Sequence, residues 1–323
     1  MRTLYALIIR YRVFAVLLLL LLMPLVMPYT ALAVNILVFG LYAVGFNLLY
    51  GYTGMLSFGH AAFFGVGGYL TGISMVHFGV PWLAAVGIGV LASALVGLAI
   101  GFLAIRSRGI YFAMVTLALA QIVYYAFYKA SSWTGGENGL QGINVKPMDI
   151  FGLHIDFLNG LTKYYIILVF VMLALWFVSR VLNSPFGAVI EAIRENEQRT
   201  AACGFNVART KLLVFVLSAA ICGLAGTLRA LHLSIVPIES LGYILSGQAV
   251  MICLLGGIGT FFGPFIGAAA FVYLEDIVTH MTNHWMGVVG IIFIAFILFC
   301  PRGIWGTTTD WIQRRFMTEG AQK

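Results

Sequence analysis

Few residues in this chain could do chemistry on their own. The four cysteines, Cys203, Cys222, Cys253 and Cys300, form no Cys-x-x-Cys pair, and three of them lie in apolar runs where a free thiol behaves as a small hydrophobe. No His-Glu-x-x-His run occurs, and His60 has no second ligand at metal spacing. No Gly-x-x-x-x-Gly-Lys-Ser/Thr loop is present to cradle a triphosphate, so ATP used by this protein must be bound by another chain. Catalysis, a metal and a resident cofactor are therefore not expected. What stands out is polar and small residues set into apolar surroundings. Asn47, Gly54, Ser57 and His60 lie in a stretch with Gly51, Gly59, Gly65, Gly67 and Gly68, and Gln248 lies beside Ser246 in the glycine-rich stretch 242–267. Polar groups at membrane depth must face a partner or a cavity, so these residues either line a solute route or hydrogen-bond helix to helix.

The elements that must position them are membrane helices. Of the 323 residues 62% are hydrophobic and 9% charged, against about 25% charged in a soluble domain. A globule cannot cover itself with so few polar groups, whereas lipid tolerates them. Long unalternated runs such as 13–26 and 287–300 favour helices over a barrel. Spans are expected near 13–30, 32–50, 54–76, 82–105, 110–129, 163–182, 212–233, 244–258, 262–279 and 286–300. The fold class is thus an all-α polytopic bundle, a single domain over 1–323, with short or broken helices. Loops 131–162 and 183–211 are polar. The net charge of +7 comes from basic residues at span ends, which suits membrane orientation and not nucleic acid.

Arg2, Arg10 and Arg12, then Arg106 and Arg108, then Arg180 to Lys211, and finally Arg302, Arg314 and Arg315 all fall inside only if residues 244–279 cross twice. Gly256, Gly257, Gly259, Gly263 and Pro264 supply the break. Both termini are then cytoplasmic. Residues 1–33, ending Ala31-Leu32-Ala33, also resemble a signal peptide, an alternative that charge parity leaves open. Because spans two to five begin outside and seven to ten inside, the halves run in opposite senses, as an inverted repeat would. Arg229 and His232 are expected to snorkel to the headgroups, and Glu275 and Asp276 to end a span.

The loop 183–211 is expected to hold one short amphipathic helix over 185–203, capped by Ser184, with Pro185 at its first position and Gly204 just past its end. Glu195 and Arg199 would pair at i,i+4. On physics alone this helix is either a solvated connector or a docking surface. Its Glu191-Ala192 pair, with Gly204 about a dozen residues on, resembles the EAA loop by which ABC-importer permeases dock on their ATPases. The run Arg194-Glu195-Asn196-Glu197 to Lys211-Leu212, the run Asn47 to Gly65 and the run Leu254 to Pro264 resemble the branched-chain amino-acid (Liv-type) permeases over nearly the whole chain. A longer N-terminal region makes the chain more like the M-type subunit. It departs from the EAA pattern at Ile193, where alanine is usual.

The resemblance implies an inverted-repeat permease of the inner membrane that performs no chemistry. It would pass branched-chain or similar neutral amino acids inward, with a second homologous permease, two ATP-binding cassette subunits and a periplasmic amino-acid-binding protein as partners. It assigns docking on the ATPase to Glu191, Ala192, Arg194, Glu195, Asn196, Arg199, Ala202 and Gly204, whereas Asn47, Gly54, Ser57, His60 and Gln248 are the solute-route candidates by their own small or polar character in apolar spans. A permease for urea or short-chain amides shares these motifs. An ion-coupled secondary transporter is weakened by the absence of a mid-span carboxylate.

Overall fold

The computed structural model describes residues 17, 19–24, 27–145, 148–150, 153–155, 159–282, 284–300 and 302–307. The basic residues at positions 2–12, 314 and 315 lie outside them, and the first expected span, 13–30, is described only at 17, 19–24 and 27–30. The helices are α1 (Thr30–Thr53), α2 (His60–Val76), α3 (Trp82–Ala104), α4 (Ile110–Lys129), α5 (Gly160–Leu182), α6 (Pro185–Glu195), α7 (Glu197–Ala202), α8 (Val207–Leu233), α9 (Tyr243–Gly256), α10 (Gly263–Met281) and α11 (Trp285–Phe299). Loop 131–162 carries a small antiparallel hairpin, Met148–Ile150 with Leu153–Ile155, paired Asp149 to His154. Among the described residues six helical segments are long and apolar enough to cross a membrane, while α9 is shorter.

α1 is apolar on every face, and a helix of that kind belongs in a core. It is buried from Leu32 to Val34 and from Ile36 to Leu49, wrapped by α8, α10, α5 and α9. α8 runs antiparallel to it and lies against α2 and α3. The α2–α8 contact depends on small residues. A Cβ on Gly67 would stand 2.3 Å from the Gly223 carbonyl oxygen, so the two backbones touch only because Gly67 has no side chain, and one on Gly223 would run into Ser93 of α3 (2.3 Å). α3, α4, α5 and the segment around α11 bury a third or less of their apolar windows, against 94% for α1. Their outward Leu91, Leu95, Met114, Ile122, Leu173 and Ile294 form the exposed apolar surface of a membrane protein.

We call the Thr30 end of α1 the upper end and the Thr53 end the lower. Two chain breaks interrupt the bundle. Residues 54–59 are non-helical and lead into α2, which begins at buried His60. Residues 257–262 form the turn between α9 and α10, the two-segment arrangement expected of 244–279. Non-helical backbone is tolerated at such depth only when its polar groups are met. Phe58 N–H donates to Thr116 Oγ1 (3.2 Å), Gly59 N–H to Ser57 Oγ (3.2 Å) and Ala61 N–H to Ser246 Oγ (2.9 Å).

The segment 185–203 is not one helix. Asn196 is extended (φ −158°, ψ 102°) and separates α6 from α7, because its side chain caps the second helix: Oδ1 accepts from Arg199 N–H at 2.9 Å. The break removes the spacing on which a Glu195–Arg199 pair depended. Ser184 is not a side-chain cap either, since its hydroxyl donates to the Val181 carbonyl (2.6 Å). Pro185 does start α6, and Gly204 does stand at positive φ (+89°).

Candidate functional site: an upper cavity and a lower latch

At the lower end, α6 lies against the bundle through Gly187, Ile190 and Ile193. Ile193, the departure from the alanine pattern, is thus the anchor that seats the helix. Ala188, Glu191, Ala192 and Glu195 recur at helical spacing on the opposite, exposed face. All eight residues expected to meet an ATPase are exposed. One of them also reaches inward. The last carbonyls of a helix have no partner within it and carry partial negative charge. Arg194 Nη1 donates to one of them, the Gly51 carbonyl in the last turn of α1. Asn47, one turn earlier, uses both ends of its amide on the 257–262 turn. Its Oδ1 accepts from Gly259 N–H and its Nδ2 donates to the Thr260 carbonyl, both at 2.9 Å. Gly54 (φ +74°) ends α1, and Gly259 (φ +74°) lets the turn pass beside the guanidinium. Arg194 and Asn47 therefore tie three elements into one latch: the end of α1, the α9–α10 turn and the exposed helix α6. Below it, Glu197 bridges Lys211 (2.7 Å) at the start of α8 and Arg108 (3.5 Å) in the α3–α4 loop.

Between latch and upper half, His60 is fully buried among Phe46, Phe63 and Phe215, with ring centroids at 5.0, 5.6 and 6.3 Å. Its Nε2 meets Ser218 Oγ at 2.8 Å, and that hydroxyl donates to the Gly45 carbonyl (2.6 Å). With the serine proton so committed, Nε2 is the donor, and the chain of bonds joins α2, α8 and α1. Ser57 is occupied in its local turn.

The upper half holds a cavity of about 640 Å³. α1 contributes Leu32, Asn35 and Phe39, α8 contributes Arg229, α9 contributes Gln248, and α10 contributes Val272, Glu275 and Asp276. Of the five residues expected along a solute route, Gln248 lines this cavity. Asn47 and Gly54 belong to the latch, and Ser57 and His60 to the packing between.

The family model described as "branched-chain amino acid transport system / permease component" matches residues 28–297. The chain belongs to this family. The LivM permease proteins of the high-affinity branched-chain amino acid transport systems of Salmonella typhimurium and Escherichia coli are 27% and 29% identical to this permease. Those matches cover 84% and 81% of this chain and 69% and 66% of the relatives, about two thirds of their length. A probable LivM of Methanocaldococcus jannaschii is 24% identical over 86% of this chain and 94% of its own. No solved structure matches.

Sequence reasoning placed two cavity groups wrongly. Arg229 does not snorkel away from the permease. Its guanidinium sits 4.8 Å over the Phe39 ring, and Nη1 is fully buried. Glu275 and Asp276 do not end α10, which continues to Met281, and both face the cavity. The signal was available, because an ionisable residue inside a membrane helix is a functional candidate by default. Asn35 was missed altogether.

Proposed function

We propose that this permease passes branched-chain or similar neutral amino acids across the inner membrane into the cytoplasm, driven by ATP hydrolysis on two partner cassette subunits. A second homologous permease and a periplasmic amino-acid-binding protein complete the assembly. The carrying observation is the pairing of an upper cavity, open to a delivered solute, with a lower latch that a docked partner can pull through α6. On this reading Glu191, Ala192, Glu195, Asn196, Arg199, Ala202 and Gly204 meet the ATPase, and Arg194 passes its motion to α1. Solute enters beside Gln248, descends past His60 and Ser57, and leaves when the contacts of Asn47 and the turn at Gly54 part.

Charge supports the orientation. Of the described basic residues, Arg106, Arg108, Arg180, Arg194, Arg199, Arg209, Lys211 and Arg302 belong to the lower end and Lys129, Lys163 and Arg229 to the upper. Cytoplasmic loops carry the excess of Lys and Arg, so the lower end faces the cytoplasm, while the expectation that both termini do so falls outside the described residues. Proteoliposomes holding the complete assembly test the function. ATP-dependent uptake of labelled L-leucine delivered by the receptor is expected. Uptake of urea or acetamide with none of leucine would replace this reading with the amide one.

A further inference from the structure

We propose that Arg229 anchors the α-carboxylate of the solute in the upper cavity, with Asn35 and Glu275 receiving its ammonium, so that the permease itself selects a zwitterion. The inference rests on the reading above and adds to it a specificity-determining site.

A guanidinium stays protonated in a protein, and leaving a buried charge unpaired is costly. Arg229 covers one face with the Phe39 ring, a favourable but partial compensation. Its Nη1 is fully buried and has no hydrogen-bond partner. Glu275 on α10 is the neighbouring counter-charge, yet the salt bridges of the described residues are those of Glu197 with Arg108 and Lys211. One arm of the Arg229 fork, Nη1, is thus left without a protein partner on a side chain that lines the cavity. A planar carboxylate is the anion whose two oxygens match that fork.

The rest of the site is complementary to the other end of an amino acid. Asn35 lies one turn before Phe39 on α1, and its Oδ1 is also buried without a partner. It and the half-buried Glu275 are acceptors, as an ammonium requires. Phe64, Leu245 and Val272 supply apolar wall for a side chain. The volume of 640 Å³ falls among ligand pockets, which run roughly 300–1,000 Å³. Urea or a short amide carries no anion and would leave Arg229 unmet. A phosphate, free or on a lipid, matches the fork but would face Glu239, Glu275 and Asp276 in the same cavity.

The test uses the complete assembly in proteoliposomes, with uptake of L-leucine and of leucinamide, which lacks the carboxylate, and with inorganic phosphate as competitor. Wild type is expected to prefer leucine. Arg229→Gln is expected to lose tenfold to hundredfold in leucine kcat/KM, the range for a hydrogen bond to a charged group of about 1.5–3 kcal/mol, while leucinamide uptake does not fall with it. Arg229→Lys keeps the charge without the fork and is expected to restore part of the preference. Thermal stabilisation of the detergent-solubilised assembly by leucine gives a second readout, to be lost in Arg229→Gln and reduced in Asn35→Ala. Unchanged preference for leucine over leucinamide in a transporting Arg229→Gln assembly overturns this inference and leaves the amino-acid function standing. Competition by phosphate with no leucine effect also overturns it, as does uptake of urea in place of leucine, which removes the function as well.

Discussion

Replacing Asn47 by alanine should loosen the lower latch by an amount the geometry fixes. The amide makes two bonds of 2.9 Å to the backbone of the 257–262 turn, one as acceptor and one as donor. A neutral hydrogen bond contributes about 1 kcal/mol net, and a partner left buried and unmet adds to that. Gly259 and Thr260 are half-buried, so water recovers part of the second cost. The loss is then about 2 kcal/mol, or roughly 30-fold in the opening equilibrium of the turn. Hydrogen exchange of amides 258–262 in the intact assembly measures it directly, and their exchange should quicken by about that factor. Asn47→Asp keeps the acceptor for Gly259 N–H and sets a carboxylate against the Thr260 carbonyl, so it should loosen the turn as well. Gly51→Ala provides an independent route to the same result. Its Cβ would lie 2.0 Å from Asn47 Oδ1 and must push the amide aside. Unchanged protection of 258–262 in Asn47→Ala would refute the latch.

Ala192→Pro places proline inside α6, at a cost of about 3 kcal/mol or more, and should abolish pull-down of the ATPase subunits and uptake while the chain still inserts. Gly204→Val meets no neighbour within 4 Å, so only backbone strain at φ +89° acts, and uptake should fall several-fold without loss of the assembly. Glu195→Ala, at an exposed position, should leave uptake within about twofold, in line with exposed charges contributing about 0.2–1 kcal/mol. A single cysteine at Thr282, just past α10, should label from outside in intact cells, as two crossings by 244–279 require; labelling of Thr282 from inside alone would remove the double crossing.

Helix positions were legible because apolar length and glycine punctuation are local. The expected 110–129 is α4, and the glycines around 256–264 do mark the turn between α9 and α10. Facing was not legible. Helices such as α1, α3 and α8 are apolar around their whole circumference, so no stripe says which side meets lipid, protein or cavity. Arg229 was misplaced for that reason. Its nearness to the end of α8 suggested headgroups, whereas the Phe39 face that attracts it lies 190 positions earlier in the chain. The split at Asn196 had a local signal, an asparagine three residues before Arg199, which the strong helix formers around it outweighed. The latch joins positions 47, 194 and 259 and has no local signature at all.

Transport requires that what happens at the latch be felt at the cavity, and α1 is the element able to carry it. Phe39 on the cavity wall and Gly51 in the latch are twelve residues apart on one unbroken helix, about 18 Å. A helix buried on all sides cannot bend locally without opening voids, so it moves as a rod or not at all. The conformational change must then be absorbed at its ends. The lower end has the means, because residues 54–59 and 257–262 are short non-helical segments with left-handed glycines. Coupling also needs a two-state element that both sites bias. On the function proposed above the latch is that element, closed in this structure by Arg194 on the Gly51 carbonyl and Asn47 on the turn and opened when those contacts part. A solute neutralising Arg229 alters what α1 and α8 hold between them at Phe39, and a partner pulling α6 alters what holds Gly51. Each acts on the same rod, so occupancy above should change the ease of unlatching below, and by linkage unlatching should change affinity above by the same factor.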